Sequence, residues 1–113
     1  MAINVTLLHQ GQIVALPDAD GRTFDAAGDF DRLLPMETQL PLRDAPELPV
    51  LSRIEAYADL EFSSQDMPAI EQEAGTLLPL AKPGPEVRGL QRLCTLARHG
   101  ANLPGAVLHV QGD

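Results

Sequence analysis

Apolar and polar residues alternate at the start of the chain, which is typical of a β-strand with one buried face. The apolar positions of this alternation are Ile3, Val5 and Leu7. Gly11 can adopt the positive φ that a tight primed turn requires, so residues 3–16 are predicted to form a β-hairpin. Pro17 is expected to end this hairpin, because proline has no N–H to donate to a strand ladder.

Two further strands are predicted in the second half of the chain. Residues 58–62 alternate in the same way, and their apolar positions are Ala58, Leu60 and Phe62. Residues 105–110 are predicted to form the last strand, whose more apolar side should face the core and consists of Ala106, Leu108 and Val110. Val107 and His109 are then expected on the opposite side.

A first amphipathic helix is predicted to follow the middle strand and to run from Met67 to about Leu80. Its apolar stripe consists of Met67, Ile70, Ala74, Leu77, Leu78 and Ala81. Proline is tolerated in the first turn of a helix, so Pro68 favours Gln65 or Asp66 as the N-cap. Glu71 and Glu73 would then interact favourably with the positive end of the helix dipole.

A second amphipathic helix is predicted to begin at Pro85, after the helix-breaking sequence Lys82-Pro-Gly-Pro85. Its apolar stripe consists of Val87, Leu90, Leu93, Cys94 and Ala97. The helix is expected to end at Arg98-His99-Gly100, with Gly100 in the left-handed conformation that commonly caps helices.

The segment between the hairpin and the middle strand gives weaker patterns. Residues 24–34 predict a short helix whose inward side would consist of Phe30, Leu33 and Leu34, although Gly28 disfavours a helix by about 1 kcal/mol. Residues 35–50 contain four prolines, which exclude a helix and predict a long surface loop. Such a loop is either padding or a place of partner contact.

These elements predict a single α+β domain over residues 1–113. A small, mostly antiparallel sheet of about four strands, made from the hairpin, the middle strand and the last strand, would be covered on one face by the two C-terminal helices. The chain is 44% apolar and only 4% aromatic, so the core should be aliphatic. At 113 residues it can bury a core without disulfides, and its single cysteine, Cys94, allows no intramolecular disulfide.

The charge balance excludes some partners. Sixteen acidic residues against eight basic ones give a formal net charge of −8. A nucleic-acid-binding surface needs clustered cations, which the scattered arginines do not supply, so no nucleic-acid partner is expected. The sequence has neither a signal-peptide pattern nor an apolar stretch long enough to cross a bilayer, so we expect a cytoplasmic protein with no membrane partner.

The function favoured by this composition is that of a non-enzymatic protein-binding module, such as an inhibitor, immunity or accessory protein. Its acidic residues could steer association with a basic protein. The expected binding surface consists of Asp18, Asp20, Asp25, Asp29, Asp31, Asp44 and Glu47. Residues 18–29 do not match a calcium loop, because Arg22 occupies a ligand position.

An alternative is a small enzyme or ligand-binding domain with a polar pocket between the sheet and the helices. The pocket would lie either within one chain or at the dimer interface of a homo-oligomer. The polar groups of that pocket would be His9, Tyr57, Glu61 and His109. No spacing in the sequence requires a metal, and neither a metal nor another cofactor is expected. Cys94 lies on the apolar stripe of the second helix and is expected to be a core residue.

The second half of the chain resembles a group of small actinobacterial proteins of no known activity. The resemblance rests on Pro49-Val-Leu-Ser-Arg-Ile-Glu-Ala-Tyr-Ala-Asp-Leu-Glu-Phe62, on the helix from Met67, and on the ending Leu108-His-Val-Gln-Gly-Asp113. It implies the same order of strand, helical pair and terminal strand over residues 49–113. The prolines near 41–49 depart from the pattern of that group.

Overall fold

The fold is an antiparallel sheet with two helices packed on one face. The computed structural model describes residues 3–35, 46–55 and 57–112. The strands are β1 Ile3–His9, β2 Gln12–Ile13, β3 Leu16–Pro17, β4 Thr23–Phe24, β5 Ala27–Gly28, β6 Leu60–Ser63 and β7 Val107–Gly112. The helices are α1 Met67–Leu77 and α2 Pro85–Ala101, and three short 3₁₀ turns cover Asp31–Leu33, Leu51–Arg53 and Leu78–Leu80.

The main sheet has the order β2-β1-β7-β6, and every pairing in it is antiparallel. β5 also pairs with β1, so this sheet has five strands, and β3 and β4 form a separate two-stranded ribbon. The predicted α+β class, the antiparallel sheet and the two covering helices are confirmed. The predicted middle strand is displaced to Leu60–Ser63, although the Gly112 N–H still bonds the Ala58 carbonyl at 3.2 Å.

The predicted N-terminal hairpin is confirmed, but its second strand is shorter than expected. Gln10 and Gly11 have φ values of 55° and 78°, the left-handed pair that a two-residue primed turn requires. β2 contains only two residues, and the chain then leaves the sheet to form β3. Pro17 therefore does not end the hairpin. It lies in β3, opposite Thr23 of the small ribbon.

The predicted helix over 24–34 is wrong. Phe24 ends β4, Ala27 and Gly28 form β5 against β1, and only a 3₁₀ turn, Asp31–Leu33, follows. Phe30, Leu33 and Leu34 are nevertheless buried as predicted. The bulky apolar residues enter the core from extended backbone and one tight turn, so their burial does not need a helical period.

Both C-terminal helices are confirmed, and their predicted stripes contain most of the apolar residues that they bury. Leu78, Ala81, Val87 and Cys94 of those stripes are only partly buried, and Leu96, which was not predicted, is fully buried. Asp66 is the N-cap residue of α1, as expected. The sheet side of this interior includes Val5, Leu7 and Leu108, each no more than 1% exposed. The helix side consists mainly of Met67, Ile70, Ala74, Leu77, Leu90, Leu93, Leu96 and Ala97. Ala106, Leu108 and Val110 are the buried side of β7, as the alternation predicted.

The predicted capping role of Gly100 is wrong. α2 continues to Ala101, its C-cap is Asn102, and Gly100 is a buried residue inside the last turn. A Cβ atom at Gly100 would lie 2.2 Å from Met67 Sδ and 2.8 Å from Leu7 Cδ1. The glycine is needed because the end of α2 lies directly against α1 and the sheet.

A second glycine contact joins α2 to β5. A Cβ atom at Gly89 would lie 1.7 Å from the carbonyl oxygen of Gly28, far closer than two non-bonded atoms can approach. Helix and strand backbones therefore touch at this crossing. The contact fixes the N-terminal half of α2 beside the chain that leads from the hairpin into β5.

Candidate functional site

Asp18, the first residue of the predicted acidic surface, is committed to an ion pair. Its Oδ2 accepts hydrogen bonds from Nε of Arg92, at 2.9 Å, and from Nη2 of the same guanidinium, while its Oδ1 accepts the Ala19 N–H at 2.8 Å. These bonds hold the pKa of Asp18 below its ordinary value. Arg92 also lies over the Phe24 ring, 5.4 Å from its centroid. This carboxylate therefore joins the loop after β3 to α2.

The remaining predicted acidic residues fall into three groups. Asp31 is half-buried, and Asp44 lies outside the described residues. The other four are exposed and have no ion-pair partner within 4 Å in the described part of the chain: Asp20, Asp25, Asp29 and Glu47. Asp29 lies in a left-handed conformation with φ of 66°, in the turn from β5 to the 3₁₀ segment. All four carboxylates lie on turns and extended segments, in the case of Asp25 and Asp29 because the helix predicted for residues 24–34 does not form.

Two further ion pairs join the helices to neighbouring segments. Glu86 accepts two hydrogen bonds of 2.9 Å from the Arg32 guanidinium and a third, also 2.9 Å, from the Lys82 backbone N–H. These contacts lower the pKa of Glu86 to about 2. Arg98 bonds Glu71 at 2.5 Å, so an ion pair also links the two helices.

An open groove of about 370 Å³ lies between the loop after β3 and the N-terminal half of α2. One wall is Asp18, Ala19 and Asp20, and the other is Gly84, Val87, Arg88 and Gln91. The groove exists because the Asp18–Arg92 pair holds the loop against α2 one helical turn beyond Arg88. The groove combines a concave shape with charges of both signs.

The histidine pocket considered from the sequence is not assembled in the interior. β1 and β7 do pair, but their register places Thr6, not His9, opposite His109. On its other side His109 lies opposite Glu61 of β6, and its Nε2 is 3.8 Å from the Asp59 carboxylate. His109 and Glu61 therefore meet on the sheet face that points away from the helices.

The other two residues of that predicted pocket lie apart from this pair. His9 ends β1 next to the primed turn, and Tyr57 is 74% exposed, before β6 begins. The interior space between sheet and helices is lined by apolar side chains, among them Phe30, Phe62 and Leu93, and it has no room for a water molecule. A polar ligand cannot occupy it without unpacking the core.

Cys94 has the structural role expected from the sequence. It is half-buried against the apolar core, and its Sγ lies 3.7 Å from the Glu71 carbonyl oxygen. Burial, with a smaller contribution from the charge of Glu71, raises the pKa of the Cys94 thiol. The thiol form is thus favoured, and it is a poor nucleophile.

The most important polar residue that the sequence analysis missed is Glu73. Its side chain is buried, at 6% exposure, and its Oε1 accepts N–H bonds from Val50 at 3.1 Å and Leu51 at 2.9 Å. Its Oε2 accepts a second, longer contact from Val50 at 3.2 Å. These donors belong to the start of the 3₁₀ turn at Leu51–Arg53. Glu73 therefore anchors the end of the proline-rich segment to α1, a role that goes beyond the interaction with the helix dipole predicted from its position.

Within the described residues, no three His, Cys, Asp or Glu side chains are grouped so that they could hold a metal ion. No helix among them has the length and apolarity needed to span a membrane. No protein-family model, curated protein or solved structure is significantly similar to the chain. The resemblance to small actinobacterial proteins accordingly stays a prediction.

Proposed function

We propose that the protein is a non-enzymatic binding module, of the inhibitor, immunity or accessory kind, whose acidic exterior engages a basic protein. This proposal rests on one observation: most described arginines are in ion pairs, whereas many carboxylates are not. Four arginines are held in ion pairs with carboxylates: Arg32, Arg53, Arg92 and Arg98. Among the described residues, exposed carboxylates without an ion-pair partner outnumber the cations without one.

The unpaired carboxylates are distributed over two parts of the surface. Asp25, Asp29 and Glu47 lie on turns and extended segments outside the helices. Glu55 and Glu61 lie before and within the edge strand β6, and the exposed Asp59 carboxylate lies 3.8 Å from Nε2 of His109. With a net charge of −8, this exterior attracts cationic proteins over a distance set by ionic strength.

The physical consequence is fast association that depends on salt. Electrostatic steering raises association rates by up to several orders of magnitude at low ionic strength and fades as salt screens the charges. An acidic protein of this size would suit the role of an inhibitor that must find a basic target quickly. The cytoplasm remains the proposed location, and the single unpaired cysteine suits a reducing compartment.

The test is capture of partners from the cell that produces the protein, followed by kinetics with the purified partner. Association would be measured at about 0.1 M and about 1 M salt, where the Debye length falls from about 10 Å to about 3 Å. We expect a captured protein of basic surface and a marked fall in its association rate at high salt. A partner whose capture and association rate ignore salt would contradict the proposal.

Matched charge variants locate the contact. One variant carries Asp25→Asn, Asp29→Asn and Glu47→Gln, and the control carries Glu55→Gln, Asp59→Asn and Glu61→Gln. Each set removes three negative charges from exposed positions. If the predicted acidic surface is the contact, the first variant slows association much more than the second. Equal effects would mean that net charge alone matters, and a larger effect of the second would move the contact to the β6 edge.

A further inference from the structure

The groove beside α2 holds opposite charges that do not touch. Asp20 and Arg88 both line it, yet no carboxylate–guanidinium contact within 4 Å joins them. Arg88 also makes no such contact with Asp18, whose carboxylate is taken by Arg92. A cation and an anion on facing walls, separated by open space, leave a place for a molecule that carries both charges.

The anionic wall is held in position by backbone bonds. Asp20 Oδ1 accepts the Arg22 N–H at 2.9 Å, and the Gly21 N–H bonds the Asp18 carbonyl at 3.1 Å, so the loop is a closed turn. A carboxylate has about four acceptor positions, so this one bond leaves Asp20 able to accept more. An ammonium group in the groove would find a fixed acceptor.

The cationic wall belongs to a rigid helix. Arg88 lies in the first turns of α2, next to Gly89, whose contact with Gly28 fixes the helix backbone at that position. A guanidinium binds a carboxylate through two parallel N–H bonds, which defines both position and orientation. Gln91, on the same wall, adds an amide that can both donate and accept.

The size and remaining lining of the groove indicate a small ligand. Its volume of about 370 Å³ is near the lower end of small-molecule sites, which span about 300–1,000 Å³. Val87 and Ala19 contribute apolar surface between the charged groups. A short aliphatic side chain could contact them.

We propose that this groove binds a free aliphatic α-amino acid, with its carboxylate on Arg88 and its ammonium group on Asp20. The groove shares Asp18 and Asp20 with the acidic surface predicted from the sequence. The variants that test protein binding leave Asp18, Asp20 and Arg88 unchanged, so the two proposals can fail separately. Ligand binding here would occur without a chemical reaction.

The experiment is an NMR titration of the ¹⁵N-labelled full chain with alanine, valine and leucine. The ligands would be added to about 10 mM, well above the Kd of about 1 mM that corresponds to only about 4 kcal/mol of binding free energy. We expect saturable shifts of backbone signals from residues 18–20 and 84–91. Absence of saturable shifts there with all three amino acids would overturn the proposal.

Blocked ligands test each half of the contact. N-acetyl-leucine lacks the ammonium charge and leucine amide lacks the carboxylate, so each should bind at least about tenfold more weakly than leucine, the fold-change for about 1.4 kcal/mol. Arg88→Gln should weaken leucine but not leucine amide, and Asp20→Asn should weaken leucine but not N-acetyl-leucine. Asparagine keeps the Oδ1 acceptor for the Arg22 N–H, so the turn is preserved.

Two control variants remove the same charges outside the groove. Arg22→Gln and Asp25→Asn change exposed residues that do not line it, and they should alter the leucine Kd by less than about twofold. Equal losses of leucine affinity in the control and groove variants would mean that only the overall charge of the protein matters. That result would overturn the proposal. Weakening of leucine amide by Arg88→Gln would overturn the assigned orientation.

Discussion

The interior between sheet and helices and the charged exterior around α2 are built on different principles. Inside, side chains such as Leu7, Leu90 and Leu108 are fully buried, and backbones meet directly where Gly28 contacts Gly89. Outside, α2 is joined to neighbouring segments by carboxylate–guanidinium pairs, and an open groove remains beside Arg88.

The difference separates what determines stability from what is free to bind. Burial of apolar surface and close packing stabilise the interior strongly, and any added atom there would clash with packed neighbours. Exposed ion pairs contribute little to stability because water and salt screen them. Exposed charged side chains, whether paired or unpaired, can therefore be changed or used for binding with little loss of stability. Three substitutions test this contrast.

The largest effect is expected from Gly89→Ala. The new Cβ would lie 1.7 Å from the Gly28 carbonyl oxygen, so helix and strand must move apart. Overpacking against a backbone atom that cannot rotate away should destabilise the fold by about 3 kcal/mol, despite the better helix propensity of alanine. Urea unfolding followed by circular dichroism would measure the loss.

The same substitution in α1 supplies the control. Gly75 is exposed, and a Cβ there would meet no atom within 4 Å. Gly75→Ala should therefore stabilise the protein by about 0.5–1 kcal/mol, the usual gain from replacing glycine inside a helix. If Gly89→Ala stabilised the protein as Gly75→Ala is expected to, the close contact between Gly28 and Gly89 would be contradicted.

A smaller but still clear loss is expected from Glu73→Ala. The change removes the acceptor of the Val50 and Leu51 N–H groups, and both donors lie in a buried environment. Leaving them without a partner should cost about 2 kcal/mol. Hydrogen exchange should also become faster at these two amides, because the turn at Leu51–Arg53 loses its anchor on α1.

Glu71→Ala is the matched control, two positions earlier in the same helix. Glu71 bonds the largely exposed Arg98 side chain, so its loss should change stability by less than about 1 kcal/mol and leave the Val50 and Leu51 amides protected. Comparable losses from the two variants would refute the distinction between a buried anchor and a surface pair.

Sequence periodicity was sufficient wherever one element buries a regular face. The alternation in Ile3, Val5 and Leu7 and the stripes of both helices each describe a surface that meets one partner, so the element and its buried side could be predicted together. Residues 24–34 have no such regularity. Phe24 reaches the core from β4. Phe30, Leu33 and Leu34 belong to one 3₁₀ turn and its flanking residues, and their spacing matches that of a helix although only the turn forms.

The contacts that define the candidate sites join residues that are far apart in the sequence. Hydrophobic periodicity carries no information about such pairs. Taken separately, Gly28 and Gly89 each disfavour the element that contains them. Only their contact in the fold explains why both positions are glycine. Asp18 looked like one of several surface acids, but Arg92, far along the chain, takes it out of that set. The sequence predicts for Glu73 only an interaction with the helix dipole, because nothing in its own helix indicates that Val50 and Leu51 fold over it.

The smallest effect is expected from the Arg32–Glu86 pair, and pH reveals it. The Arg32 guanidinium, together with the Lys82 N–H, lowers the pKa of Glu86 from its ordinary value of 4.5 to about 2. A folded-state pKa below the unfolded one means that the stabilisation is complete above pH 4.5 and is lost as pH falls to about 2. Arg32 is 38% exposed, so screening by solvent keeps the contribution of this ion pair to stability below those of Gly89 and Glu73.

Urea unfolding across this pH range should show a shallower loss of stability in Glu86→Gln than in the unaltered protein. Glu55→Gln, at an exposed site, should follow the unaltered protein. Parallel pH profiles for the unaltered protein and Glu86→Gln would mean that this pair contributes nothing to folding, and that the exterior of α2 is even less important for stability than its contacts suggest.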